Sequence, residues 1–115
     1  MTETLRIRRF GMVIGLREES IAEYRKLHEG PGVRDLLAAA NMRNFNIFLQ
    51  KMPDGKYYEF GYYEYIGLDH DADMKKLDEH PRNIEWLQLC NPMQIPLPGQ
   101  TGWAEMQCEI GRAHV

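Results

Sequence analysis

The chain has 115 residues, of which 43% are hydrophobic and 27% charged, a composition typical of one globular domain rather than of a disordered segment. The formal net charge is −3 and no basic run is present, so nucleic acid is not expected as a partner. No apolar stretch approaches the roughly 20 residues of a membrane-spanning helix, and the N-terminus lacks the apolar segment of a secretory signal. The two cysteines, Cys90 and Cys108, are too few for a disulfide framework or a zinc site. With seven methionines, they favour a reducing cytoplasm.

The final residues, IGRAHV at 110–115, match the translation of a common short-read sequencing adapter. We therefore expect this segment to be a non-native tail, and we expect residues 1–109 to form a single domain. His114 lies in the tail and is no candidate for a functional site.

The first third of the chain predicts a strand followed by two helices. Residues 5–16, LRIRRFGMVIGL, begin with alternating apolar and charged residues and end apolar, as in a strand that becomes buried. Residues 18–29 predict a helix that carries two glutamates in its first turn, where negative charge suits the helix dipole. GPG at 30–32 ends this helix, and residues 33–40, VRDLLAAA, predict a second, short one.

The middle of the chain predicts a β-hairpin. Residues 43–50, RNFNIFLQ, alternate between polar and apolar side chains with the period of two that is typical of a strand. MPDGK at 52–56 predicts a turn, because proline fixes φ and glycine accepts positive φ. Residues 57–67, YYEFGYYEYIG, predict the partner strand.

The last third predicts helices and then a final strand. Residues 69–80 and 81–90 are helical in composition, and Pro81 between them suits the first position of a helix. Residues 91–102 contain three of the six prolines and predict an ordered loop. Residues 103–109, WAEMQCE, predict the last strand.

The resulting order, β-α-β-β-α-β, is the ferredoxin-like α+β pattern, in which helices cover one face of an antiparallel sheet. The other face must be covered as well. At this length the usual cover is the sheet of a second copy, so we predict a homodimer that forms a dimeric α+β barrel.

Tyr24 and His28 are the strongest candidates for chemistry. Their i, i+4 spacing places a phenol and an imidazole on one face of the first helix. Histidine titrates near neutral pH and is suited to proton transfer. The spacing alone is weak evidence, because a half-buried helix face without a function is the more frequent reason for such a pair.

Two other patterns have a structural interpretation that we favour. The acidic run DHDAD at 69–73 offers metal-ligand atoms, but it precedes a helix, where acidic residues cap the backbone, so no metal site is expected. The tyrosines of the strand 57–67 suit a carbohydrate-stacking wall, although such a strand more often fills a core and a dimer interface.

The remaining candidates are weaker. Cys90 has no cationic neighbour in sequence, so a nucleophilic role is not expected. Trp86 and Trp103 belong to the core by default. The sequence contains no phosphate-binding glycine loop and no G-x-S-x-G, so no nucleotide cofactor is expected.

From RRFGMVIGL to WAEM, the chain resembles the L-rhamnose mutarotase family, small dimeric α+β barrels that interconvert the α and β anomers of L-rhamnose without a cofactor. The resemblance rests on Tyr-x-x-x-His at Tyr24 and His28, on an aromatic residue after an asparagine in NFNIFL, and on the helix RNIEWLQLC. It implies that His28 is the proton donor and that Tyr24 contacts the sugar. It further implies sugar contacts from Phe45, Glu85 and Trp86.

Two positions depart from the family pattern. Members often have tyrosine at the position of Phe45, and a tryptophan pair where this chain has Glu85 and Trp86. A carboxylate in place of an indole exchanges stacking for hydrogen bonding. The preferred sugar and the second acid/base group therefore stay open at the level of sequence.

Two alternatives share the same barrel. A cofactor-independent monooxygenase or isomerase predicts a more apolar pocket than tyrosine, histidine and glutamate provide. A non-catalytic small-molecule-binding barrel predicts that His28 is buried against the backbone with no cavity beside it.

Overall fold

We describe a computed structural model of the protein over residues 7–111; residues 5–6 of the predicted first strand, and residues 112–115 of the predicted tail with His114, lie outside this range. Every predicted helix and strand is present, and one further strand, β4, lies within the predicted loop 91–102. Single 3-10 turns precede α1 and follow α4. The helices and strands are β1 Arg8–Leu16, α1 Ile21–Glu29, α2 Arg34–Ala39, β2 Met42–Lys51, β3 Tyr57–Tyr65, α3 His70–Glu79, α4 Pro81–Cys90, β4 Gln94–Ile95 and β5 Ala104–Met106.

The strands form one antiparallel sheet in the order β2-β3-β1-β4, which is the ferredoxin-like order. β5 pairs with the same edge of β1 as β4 does. Gln94 lies opposite Leu16, and Ala104 lies opposite Val13, so β4 and β5 act as one edge strand that is interrupted by a loop. The predicted α+β fold class is thereby confirmed.

All four helices pack on one face of the sheet, which we call the covered face. Two groups of buried side chains form the core there. The first surrounds Phe10 and Tyr63, with Leu37 of α2 and Met74 of α3 against it. The second consists of Leu16, Tyr24, Cys90 and Met93.

The opposite face of the sheet, which we call the open face, carries none of the helices found within residues 7–111. Phe48 of β2 pairs with Phe60 of β3 on this face, and Phe48 is 64% exposed. Ile95 and Met106 extend the exposed apolar surface along the edge formed by β4 and β5. An apolar sheet face of this kind is what the prediction of a homodimer requires, and the dimer itself stays a prediction.

The acidic run at 69–73 serves helix capping. The Asp69 carboxylate accepts a hydrogen bond from the Ala72 backbone N–H at the start of α3, at 3.1 Å. Pro81 occupies the first turn of α4, as predicted, and His80 caps that helix through Nδ1. Over residues 7–111, no three His, Cys, Asp or Glu side chains come together as metal ligands. None of the helices described is long and apolar enough to cross a membrane.

Candidate active site

A cavity of about 920 Å³ lies between the helices and the covered face of the sheet. Ligand pockets commonly enclose about 300–1,000 Å³, so a small molecule such as a monosaccharide fits this space. Four of the five predicted site residues line it, namely Tyr24, His28, Phe45 and Trp86.

Tyr24 and His28 form the α1 wall of the cavity. Their rings stack with centroids 4.3 Å apart and planes inclined by 27°. Tyr24 is 5% exposed and packs against Leu16 and Cys90, whereas His28 is half-buried. The helix face that carries the two residues therefore both packs into the core and borders the cavity.

A backbone hydrogen bond fixes the proton arrangement of His28. Its Nδ1 lies 2.7 Å from the Tyr24 carbonyl oxygen. A carbonyl only accepts, so Nδ1 carries the hydrogen and Nε2 is the nitrogen that gains or loses a proton. Within residues 7–111, Nε2 has no hydrogen-bond partner. The imidazole is thus oriented by the backbone and keeps its reactive nitrogen free.

Trp86 on α4 forms the next wall. Its indole meets the His28 ring edge to face, with centroids 5.1 Å apart and an interplanar angle of 69°. Gly32 makes room for the indole, because a Cβ at this position would lie 3.2 Å from Cη2 of Trp86. Gly32 also has a φ of +54°, which favours glycine.

Glu85, the residue before Trp86, lies outside this group. The inward face of α4 carries Asn83, Trp86, Leu87 and Cys90, which follow helical spacing and line the cavity. Glu85 is exposed and does not line it. The structure therefore does not bring Glu85 together with the other predicted site residues.

Phe45 reaches the cavity through a β-bulge. Arg43 pairs with Glu64 and Asn46 pairs with Tyr62, so two residues of β2 lie opposite one residue of β3. Asn44 takes a φ of +52° at the bulge, a conformation that asparagine tolerates better than most residues. The Phe45 ring stacks on Tyr63 with centroids 6.0 Å apart. The asparagine of NFNIFL thus shapes the strand that presents the aromatic ring.

Glu59 is a cavity residue that the sequence interpretation missed. It lies on β3 and is 3% exposed, and its Oε1 has no hydrogen-bond partner among the described residues. Burial raises the pKa of this carboxyl to about 7, although the nearby Tyr24 hydroxyl opposes the shift. The strand period of two could have identified Glu59, because it places Glu59 on the same face of β3 as Tyr63 and the fully buried Tyr65.

Gln94 and Cys90 complete the surroundings of the Tyr24 hydroxyl. Gln94 Nε2 donates a hydrogen bond of 3.1 Å to this hydroxyl. Burial raises the pKa of Tyr24 far above its ordinary value, so the phenol stays protonated. Burial and the nearby Glu59 also raise the pKa of the Cys90 thiol to about 11. A thiol held in this form is a poor nucleophile.

The tyrosines of β3 divide between the two faces of the sheet. Tyr63 lines the cavity, and its hydroxyl lies 2.8 Å from His70 Nε2. Tyr65 is buried, and its hydroxyl donates to Asp73. Tyr58 and Tyr62 alternate with these residues and lie on the open face. Only part of the strand therefore contributes to the cavity wall.

Comparison with known proteins supports the fold and identifies the family. The fold is similar to that of a NIPSNAP family protein from Agrobacterium tumefaciens strain C58, with a TM-score of 0.65 and 14% identity over 92% of this chain and 87% of the other. No functionally curated protein matches the chain significantly. The sequence model of the L-rhamnose mutarotase family matches residues 9–110. The chain therefore belongs to the L-rhamnose mutarotase family.

Proposed function

We propose that this protein is a mutarotase that interconverts the α and β anomers of L-rhamnose or a closely related aldose. Membership of the family supports the reaction class. The observation that carries the proposal is His28, whose Nδ1 is held by a backbone carbonyl while Nε2 stays free beside the cavity.

The reaction needs only proton transfer. Opening of the pyranose ring requires a proton on the ring oxygen and removal of the proton from the anomeric hydroxyl. Rotation about the bond to the aldehyde carbon and reclosure then give the other anomer. No electron is transferred in this sequence, so the proposal includes no cofactor. An imidazole oriented at a cavity is suited to the proton transfers.

Other residues that line the cavity suit sugar binding. Trp86 and Phe45 offer aromatic surfaces for the apolar face of a sugar, including the 6-methyl group of a deoxyhexose. Glu59, Gln94 and Asn83 offer polar atoms for hydroxyl groups. Together with Tyr24 and His28, these polar groups favour a sugar over the substrate of a monooxygenase or isomerase barrel, whose pocket would be more apolar. A cavity lies beside His28, and this favours a catalytic role over the non-catalytic binding barrel, for which no such cavity is expected.

We further propose that the protein works as a homodimer whose copies pair through their open faces. The exposed apolar side chains of β2 and of the β4–β5 edge support this assembly. The partner molecules of the proposal are thus a monosaccharide and a second copy of the chain.

The test is NMR exchange spectroscopy on a panel of aldoses that includes L-rhamnose. We expect magnetisation to transfer between the two anomer signals of L-rhamnose or a close relative faster with the protein than in buffer. If no sugar of the panel exchanges above the buffer rate, the proposal is wrong.

A further inference from the structure

The carboxyl of Glu59 is placed for a role that packing does not explain. The residue is only 3% exposed at the wall of the cavity, and its Oε1 has no partner within residues 7–111. Burying a carboxyl oxygen without a hydrogen bond is costly, and an apolar residue would fill the same position more favourably. The free oxygen therefore requires a partner that enters the cavity.

The groups that face Glu59 come from three elements. The hydroxyl of Tyr24 on α1 and the thiol of Cys90 on α4 both lie near the carboxyl. Gln94 of β4 donates to the same tyrosine hydroxyl. Because the Gln94 amide occupies an acceptor position of that hydroxyl, the hydrogen of the phenol is free to point to the carboxyl. A phenol and a thiol are neutral or negative, so neither can be a cationic partner of Glu59. Both pKa values are raised, so near neutral pH neither group places a second negative charge beside the carboxyl.

We propose that Glu59 is the second proton-transferring residue of the cavity and acts together with His28 on the sugar. This inference rests on the proposed mutarotase function. During opening, protonated His28 gives its Nε2 proton to the ring oxygen, which takes the electron pair of the breaking bond to the anomeric carbon. Glu59 accepts the proton of the anomeric hydroxyl, whose oxygen becomes the aldehyde oxygen. Closure on the other face of the aldehyde returns both protons, so nothing is consumed.

The protonation behaviour of Glu59 fits such an exchange. A group transfers protons best in both directions when its pKa lies near the working pH. Burial brings the Glu59 carboxyl to that range, with a pKa of about 7. Tyr24 then acts as a positioning residue, since its hydroxyl lies near the carboxyl and is itself held by Gln94.

The experiment compares Glu59→Gln with Glu64→Gln. Both changes remove a carboxylate from β3, but Glu64 is paired with Asn44 and Tyr62 on the open face, at 2.7 and 2.8 Å. We expect Glu59→Gln to lower kcat for anomer exchange by about 10²–10⁴-fold with little change in KM. The pH dependence near 7 that Glu59 provides should vanish with it. Glu64→Gln should keep the parental rate and pH profile.

The possible results separate two questions. If the parent protein does not exchange anomers, the proposed function fails and this step fails with it. If the parent exchanges and a folded Glu59→Gln variant matches its rate and pH profile, only the role of Glu59 is refuted. Should the variant not fold, ¹³C-NMR of labelled glutamates in the parent decides. A carboxyl that titrates near pH 7 and shifts with L-rhamnose supports the inference, and the absence of such a signal overturns it.

Discussion

Glu59 and Glu64 lie on the same strand, five residues apart, and therefore on opposite faces of the sheet. On the covered face, burial raises the pKa of Glu59 to about 7. On the open face, hydrogen bonds from Asn44 and Tyr62 lower the pKa of Glu64. The difference shows that strand alternation, rather than residue type, decides which carboxyl is available for chemistry.

The same contrast holds for the aromatic residues. Those of the covered face stack into an ordered wall, in which Phe10 and Phe45 both lie against Tyr63. Phe48 of the open face is 64% exposed. One face thus carries a cavity and its chemistry, and the other carries surface suited to a second copy.

The largest effect expected from the covered face concerns His28. We expect His28→Asn to slow anomer exchange by about 10²–10⁴-fold, because the polar side chain remains while the group that transfers protons is lost. The fold should persist, since Tyr24 continues to pack against Leu16 and Cys90. The matched control is His80→Asn. It replaces a histidine that caps α4 with a good capping residue and should leave the rate unchanged. A folded His28→Asn variant as fast as the parent contradicts the assignment.

The two carboxyls should also give the protein opposite stability profiles. The folded state holds the Glu59 proton more tightly than the unfolded state, because the pKa rises from 4.5 to about 7 on folding. The contribution of the Glu59 carboxyl to the free energy of unfolding is therefore complete below about pH 4.5, and it is lost as the pH rises through 7. Above pH 7 the parent must bury an ionised Glu59, whereas Glu59→Gln stays neutral. The variant should therefore exceed the parent by up to about 3 kcal/mol in free energy of unfolding at this pH.

Glu64 provides the reverse case. Its pKa is lowered on folding, so its contribution is present above the ordinary carboxyl pKa and is lost as pH falls. Glu64→Gln should therefore lose stability at neutral pH relative to the parent. Urea unfolding of the parent and both variants, followed across pH, measures the two slopes. If the free energy of unfolding of the two variants, relative to the parent, changes with pH in the same direction, the contrast between the faces is contradicted.

The open face is tested by a charge on its edge strand β2. Burying a phenylalanine side chain contributes about 1.5–3 kcal/mol, so Phe48→Asp should weaken association by about tenfold or more. Leu68→Asp is the control, because Leu68 is fully exposed in the loop before α3 and nothing packs against it. Sedimentation equilibrium at tens of micromolar measures the self-association of the parent and of the two variants. A monomeric parent contradicts the dimer, and a Phe48→Asp dimer as tight as the parent's places the interface elsewhere.

The sequence predicted the fold well because its signals are local. Alternation in residues 43–50 and the Pro-Asp-Gly turn specify the hairpin, and Pro81 marks the start of a helix. β4 was missed because two residues carry no period. Gln94–Ile95 becomes a strand only through pairing with the end of β1.

The cavity was predicted in part for a similar reason. The i, i+4 spacing placed Tyr24 and His28 on one face, and the resemblance supplied Phe45 and Trp86. Glu59 was missed because β3 is aromatic on both faces, which hides the period that separates inside from outside. The resemblance indicated both Glu85 and Trp86, which are adjacent on α4. It did not indicate that only Trp86 faces the cavity.

The smallest effect expected concerns Gly32, which leaves room for the Trp86 indole at the wall of the cavity. Alanine at this position would be strained by the positive φ, and its Cβ would lie 3.2 Å from the Trp86 indole. Gly99→Ala is the matched control, because Gly99 has a φ of +81° but open space at the Cβ position. Both variants should lose about 1–2 kcal/mol of stability from backbone strain. Only Gly32→Ala should displace Trp86 from His28, which weakens an aromatic contact of about 0.5–1.5 kcal/mol and lowers kcat/KM for anomer exchange by about 2- to 10-fold. Equal kcat/KM values for the two variants would show that the position of Trp86 does not matter to the reaction.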